Sequence, residues 1–326
     1  MKVTAILCTY NRCQSLAKTL DSLAASILPE TIEWEVLVVD NNSTDQTRSV
    51  LEDFSRRYPG RFRYVFEPRQ GLSRARNTGI HESKGDILAF VDDDVTVEQD
   101  WLQNLTACLH DGAWAGAGGR TLPKQTVPLP SWFWSGSLGD LHSVAAAVFD
   151  LGDEPRQLDC PPYGTNMAFR RAMFEKYGDF RTDLGRSGKS LMGGEDTEFG
   201  HRLLKAGERL RYEPSAIVYH PVREDRLKKE YFLRWYFDHG RAEIREEGVR
   251  PEIWGIPRHY ISIPHDILRK IPKRALQWML TQDPRQRFFM KCLLWRQTGR
   301  LVEMCRLSRH ETKKSGDAAP IHDAGC

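Results

Sequence analysis

The chain has no apolar run approaching the roughly 18–20 residues that a membrane-spanning helix needs. Its seven cysteines are odd in number, scattered and without a CxxC pair. That pattern indicates neither a zinc knuckle nor a disulfide framework and favours a reducing compartment. The opening MKVTAILCTYNR lacks the small-residue cleavage site of a signal peptide, so the expected location is cytoplasmic. Charge of one sign is scarce too: 47 Lys and Arg against 44 Asp and Glu leave +3, which gives no argument for nucleic acid. No GxGxxG follows the first apolar run, which disfavours a dinucleotide oxidoreductase. The segment from Gly185 to Ser190 imitates a phosphate loop, but Asp183 stands where the first glycine of that loop belongs.

What is present is the composition of an ordinary globular protein, 40% hydrophobic and 28% charged over 326 residues. Short apolar runs alternate with helical patterns. Val3–Cys8, Glu35–Val39, Phe62–Phe66 and Ile87–Val91 read as strands buried on both faces. Leu16, Leu20, Leu23 and Ile27 recur at helical spacing, a second helix opens at Ser43-Thr-Asp-Gln, and others span Gly71–Glu82 and Trp101–Leu109. Such alternation predicts an α/β fold with a mostly parallel sheet. Ligands of these sheets bind beyond the carboxyl ends of the strands, where Thr9–Arg12, Asp40–Asn42 and Asp92–Asp94 fall.

Three clusters carry chemistry. In extended backbone Asp92 and Asp94 share a side and Asp93 points away. Neighbouring carboxylates repel unless a cation screens them, and Mg2+ or Mn2+ takes such oxygen ligands together with substrate phosphates. The plainer reading is a solvated acidic turn. In GGEDTEFGHRLLKAG, Glu195, Asp196 and Glu198 open a helix behind Gly193 and Gly194, which allow a tight turn beside a ligand. A carboxylate there can act as general base, although the helix dipole alone also favours acids at that place. GLSRARNTGI brings Arg74, Arg76 and Asn77 to another helix start, suited to phosphate or to an ordinary basic face.

Taken in order, TAILCTYNR, VLVVDNNSTDQT, GLSRARNTGIHESKGDILAFVDDD, YGTNMAFRRAMFEKYGDFRTDLG and GGEDTEFGHRLLKAG resemble the family 2 glycosyltransferases of the GT-A fold. The resemblance covers about residues 1–220, with a nucleotide-sugar half over 1–119 and an acceptor-side half over 120–220. It implies a nucleotide pocket of Thr9, Tyr10, Arg12, Asp40, Arg76 and Asp92. It implies Asp94, Asp92 and His220 as ligands of Mn2+ or Mg2+, and Gly164, Asn166 and Gly194 beside donor sugar and acceptor. Asp196 would be the catalytic base, with Glu195 holding hydroxyls. His220 also reads as a buried histidine bonded to backbone. The implied reaction is inverting transfer from a nucleoside-diphosphate sugar, most often UDP-linked, to a glycan, lipid-linked or small-molecule acceptor, as in bacterial polysaccharide or glycolipid synthesis. A catalytically silent sugar-nucleotide or glycan-binding protein and a nucleotidyltransferase are the competing readings.

Residues from about 120 to 160 are punctuated by Pro123, Pro128, Pro130 and Pro155, with Pro161 and Pro162 just beyond, hold Trp132, Phe133 and Trp134, and predict a long irregular insertion. Residues 221–310 predict a helical extension. From Trp254 to His310 twelve lysines and arginines meet only Asp266, Asp283 and Glu303. That region reads either as a solvated basic face or as an attachment to anionic lipid on the inner face of the cell membrane. The polar tail over 311–326 reads as disordered.

Overall fold

A computed structural model describes residues 1–316 apart from 137–138, 189, 249–251, 254–255 and 258–268. The chain divides into two compact units, Met1–Pro130 with Ser135–Lys228, and Ser131–Trp134 with Lys229–Cys326.

The first unit is built on strands β1 (Lys2–Thr9), β2 (Glu33–Asp40), β3 (Phe62–Phe66), β4 (Ile87–Asp92), β5 (Thr96–Val97) and β6 (Gly116–Gln125). The hairpin β7 (Ser135–Gly136) and β8 (Gly139–Asp140) follows, then β9 (Arg156–Leu158), β10 (Asn166–Arg170) and β11 (Leu210–Val222). The main sheet runs β3-β2-β1-β4-β10-β6-β11-β5. β1 pairs in parallel with β2 and β4, β2 with β3, and β6 with β11, whereas β10 is antiparallel to both β4 and β6.

Strands inside such a sheet bury both faces, which is why their sequences are continuous apolar runs rather than alternations. Val3, Ala5 and Leu7 pack in one layer with Leu16, Leu20 and Leu23 of helix α1 (Cys13–Ala24). Ile6 faces the other layer with Ala75 and Ile80 of α3 (Leu72–Glu82). Gly79 lets α3 approach closely, since a Cβ there would come within 2.6 Å of the Ile6 side chain.

Two expected boundaries differ. Helix α1 ends at Ala24, and Ile27 lies beyond it, 61% exposed. Helix α2 begins at Thr47 and runs to Arg57. Asp45 precedes it, and its carboxylate accepts the Thr47 N–H (2.9 Å) and hydroxyl, satisfying a first-turn donor. Helices α4 (Trp101–Ala107), α5 (His142–Ala146), α6 (Arg171–Tyr177) and α7 (Glu195–Lys205) complete the unit. The stretch expected to be irregular thus contains the end of β6, the hairpin, α5 and β9. The unit also continues past residue 220, because β11 runs to Val222 and a 3-10 turn over Glu224–Leu227 carries side chains back to the site.

The second unit packs α8 (Lys229–Glu247) and α9 (Ile271–Leu280) with α10 (Pro284–Gly316). Ser131–Trp134 joins it through Trp132, whose ring lies 4.9 Å from Phe288 and 5.7 Å from Phe232. Glycines at the α8–α10 contact allow close backbone approach: a Cβ on Gly240 would land on the Arg296 carbonyl, and one on Gly299 on that of Phe237. Glu303 is fully buried and accepts Arg241 (2.8 Å) and Arg245 (2.7 Å). Glu243 accepts Arg296 and Arg300, so part of the basic character read from α10 is neutralised by acids of α8. Of the tail expected to be disordered, residues 311–316 end α10 and 317–326 lie outside the described residues.

Candidate active site

Parallel pairing aligns the strand ends. Thr9 pairs with Asp40, and Cys8 with Asp92, so three polar segments reach one edge of the sheet. Asp40 is buried, and its carboxylate accepts the Ser43 N–H at 2.9 Å. Thr9 is buried, whereas Tyr10 is 44% exposed at the rim. Asn11 adopts φ +52°, and its side-chain oxygen accepts the Thr44 N–H at 2.7 Å, tying the β1 and β2 loops together.

β4 stops at Asp92, so Asp93 and Asp94 lie in a turn rather than in extended backbone. The expected divergence of Asp93 from its neighbours therefore fails. One nitrogen of Arg12 donates both to Asp93 (2.9 Å) and to Asp94 (2.7 Å). Asp92, Asp94 and His220 nonetheless converge, with one ligand atom from each lying within 4.8 Å of the others. Asp94 Oδ1 is buried without a hydrogen-bond partner, 3.5 Å from His220 Nε2. A buried unpaired carboxylate oxygen beside an imidazole and a second carboxylate is a donor set that fits a divalent cation.

Burial works to raise the Asp94 carboxyl, but Arg226, His220, Arg12 and Arg223 outweigh it and hold Asp94 below the ordinary carboxylate range. Burial, opposed by Arg12 and reinforced by Asp94, pushes Asp93 up to about 6. Burial lowers His220, which favours the neutral ring. Its Nδ1 lies 3.1 Å from the Pro221 carbonyl, so the proton is assigned to Nδ1 and Nε2 is left as an acceptor.

The residues around the start of α7 reach the same place. α7 opens at Gly194, whose φ of +94° suits glycine. Glu195 is buried and accepts Arg76 at 2.5 Å, while its Oε2 has no partner. Burial, against the pull of Arg76, raises Glu195 to about 7. Arg76 also lies 3.7 Å from Asp92, so it links the two acidic clusters. Asp196 accepts the Gly164 N–H at 2.6 Å on one oxygen and the Thr197 N–H at 2.7 Å on the other. Asn166 is committed to the fold. It is 1% exposed, its oxygen accepts Trp101 Nε1 (2.8 Å), and its amide donates to the carbonyls of Arg120 and Ala216. It ties β10 to β6 and β11.

Three participants are not named by the sequence reading. Thr165 donates to Asp92 at 2.6 Å. Arg226 donates to Asp94 at 3.1 Å, and Arg223 lies 3.7 Å from the same oxygen. The signal for the arginines was present in HPVREDR, directly after His220.

The family model described as "Glycosyl transferase family 2" matches residues 4–178. The chain belongs to this family. It is 34% identical over 255 residues to the succinoglycan biosynthesis protein ExoM of Rhizobium meliloti, covering 77% of this chain and 78% of the relative. It is 28% identical over 237 residues to the glucosyl-dolichyl phosphate glucuronosyltransferase of Haloferax volcanii, covering 72% and 73%. Among solved structures, the Pyrobaculum calidifontis mannosyltransferase PcManGT, in complex with GDP-Man and Mn2+, superposes with TM-score 0.60 at 19% identity over 92% of this chain and 86% of that one. Staphylococcus aureus TarS in complex with UDP-GlcNAc gives 0.52 at 17% identity over 97% and 92%. These likenesses carry the GT-A fold. This family 2 chain is a glycosyltransferase, which sets aside the nucleotidyltransferase and silent-binder readings.

Proposed function

We propose that this glycosyltransferase moves a sugar from a nucleoside-diphosphate sugar, with UDP as leaving group, to an acceptor hydroxyl with inversion, in polysaccharide or related glycoconjugate assembly. The observation that carries this reading is a single connected site. The Asp92, Asp94 and His220 cluster leads through Arg76 to Glu195, and Asp196 stands beside it on the Gly164 N–H. Likeness to a succinoglycan biosynthesis protein supports the pathway class, and the UDP-GlcNAc complex of TarS supports the nucleotide.

Asp92, Asp94 and His220 would hold Mn2+ or Mg2+, which when bound neutralises charge developing on the diphosphate. The chain's own residues do the rest. Thr9, Tyr10, Arg12 and Asp40 line the nucleoside end, and Arg76 supplies fixed positive charge between that end and the acceptor. Gly194 and Gly164 keep backbone close to donor sugar and acceptor. Two backbone N–H groups orient the Asp196 carboxylate, which takes the acceptor proton as the hydroxyl attacks. Asn166 acts by positioning β10 rather than by touching sugar. Attack opposite the leaving group inverts the anomeric centre, with an oxocarbenium-like transition state.

The test is a panel of UDP- and GDP-sugars read by thermal shift with and without Mn2+, followed by NMR of the product anomer. A UDP-sugar is expected to raise the melting temperature most, and more so with Mn2+. Silence of every donor, or a retained anomer, refutes the reading.

The basic extension is assigned to an anionic membrane surface. Among the described residues no helix is long and apolar enough to cross a membrane. On α9, Leu276, Met279 and Leu280 are 52%, 58% and 70% exposed, beside Lys270, Lys273 and Arg274 on the same element and its start. An apolar strip flanked by cations suits the headgroup boundary of anionic lipid. Flotation with phosphatidylglycerol vesicles at low salt is expected, and Leu276→Ser with Leu280→Ser is expected to abolish it. Failure of the wild type to float overturns the assignment.

A further inference from the structure

The arginine that holds Asp94 also holds the third residue of the proposed metal set. Arg226 is only 6% exposed, on the 3-10 turn that follows β11. Its Nη2 donates to Asp94 Oδ2 at 3.1 Å. Its Nη1 lies 3.1 Å from His220 Nε2 and 3.2 Å from the Ala145 carbonyl, to both of which it donates. With the His220 proton assigned to Nδ1, Nε2 has one lone pair, and that lone pair faces the guanidinium. A metal ion and Arg226 cannot both use it.

We propose that Arg226 is a resident counter-ion of the Asp92, Asp94 and His220 seat, which a divalent cation must displace from His220 Nε2 in order to bind there. The inference rests on the metal reading above and adds an exchange to it. Without a cation, the guanidinium satisfies a buried carboxylate and a buried imidazole that burial would otherwise penalise. A cation held at this seat would need the Nε2 lone pair, and the buried, unpartnered Asp94 Oδ1 would be a further donor to it. Arg226 then loses an acceptor and gains a like-charged neighbour. Its guanidinium is released at the edge of the seat, where Arg223, just before the same turn, already lies 3.7 Å from Asp94. An incoming diphosphate is the acceptor of matching charge and geometry for such a group. Metal and nucleotide binding would thus be coupled through the side chain that the metal evicts.

The exchange is tested by Mn2+ binding to the full chain without nucleotide, read as loss of the free Mn2+ electron paramagnetic resonance signal. Arg226→Gln removes the competing charge and is expected to bind Mn2+ about tenfold more tightly than the wild type. Circular dichroism melting checks that the variant is folded at the assay temperature. If it is not, Arg226→Lys keeps a cation near Asp94 without the two-armed bond to His220, and is expected to bind about threefold more tightly. Equal or weaker Mn2+ binding by the folded variant overturns the exchange while leaving the metal reading standing. Absence of Mn2+ binding by wild type and variant alike overturns both.

Discussion

Gly164 donates its N–H to Asp196 and lies against the Arg76 guanidinium, and Gly164→Ala perturbs that contact with a single methyl group. Gly164 does not adopt a positive φ, so alanine brings no left-handed backbone strain. Its N–H remains free to donate to Asp196. The added Cβ, however, would land on Arg76 Nη2, and would lie 2.7 Å from Nη1 and 2.8 Å from Cζ. Arg76 has little room to retreat. It is 4% exposed, bonded to Glu195, close to Asp92, and 5.8 Å from the Phe180 ring. Overpacking of this kind costs about 1–3 kcal/mol. Full loss of one partner from a buried ion pair costs roughly 3–5 kcal/mol. Displacement short of removal places the expected loss between these, at about 3 kcal/mol. For a domain of roughly 200 residues that lowers the melting temperature by about 6–12 °C. UDP affinity should fall about tenfold, or about 1.4 kcal/mol, because Arg76 is turned from the nucleotide side. Urea unfolding and calorimetric UDP titration measure the two effects. Stability within about 0.5 kcal/mol of the wild type, together with unchanged UDP affinity, would refute the argument that Gly164 is required by the Arg76 guanidinium.

Three further outcomes are expected. Asp196→Asn should retain UDP-sugar binding while losing transfer by about a hundredfold or more, and full transfer in a coupled UDP-release assay would remove Asp196 from the role of base. Asp94→Ala should abolish the Mn2+ enhancement of UDP-sugar binding seen by thermal shift, and an undiminished enhancement would displace Asp94 from the metal set. Glu195 gives a pH signature. Its folded value of about 7 stands above the ordinary 4.5, so the stability it contributes is complete below 4.5 and is lost as pH rises towards 7. The wild type should therefore weaken relative to Glu195→Gln by about 3 kcal/mol between pH 4.5 and pH 7, with little further change above. Urea unfolding of both proteins at pH 5 and pH 8 checks this, and a difference that does not change with pH would refute it.

Burial alone explains why the first half of the chain was legible and other parts were not. β1, β2 and β4 sit inside a parallel sheet covered on both faces, so their residues must be apolar along the whole strand, and local composition reports that directly. The charge balance of the basic extension was only partly legible, for the opposite reason. Its arginines at 296 and 300 meet Glu243 across the α8–α10 contact, and charge partners brought together by packing leave no trace in either local segment.

The triplet Asp92-Asp93-Asp94 shows the same division. The sequence by itself determined that carboxylates would stand at the end of a central strand, because a buried run of five apolar residues stops there and ligands of parallel sheets gather at strand ends. It also determined the candidate partners, since Arg12, Arg76, Asp196 and His220 lie in segments of recognisable kind. Only the tertiary structure decided who holds whom. Asp93 turned towards Arg12 because β4 ends one residue before it, and Asn166 turned inward to Trp101 and the sheet. Arg226 reached Asp94 from 132 residues away along the chain. Strand ends are set by local pattern, but a buried charge takes whichever partner the fold brings within reach, and that is decided by packing alone.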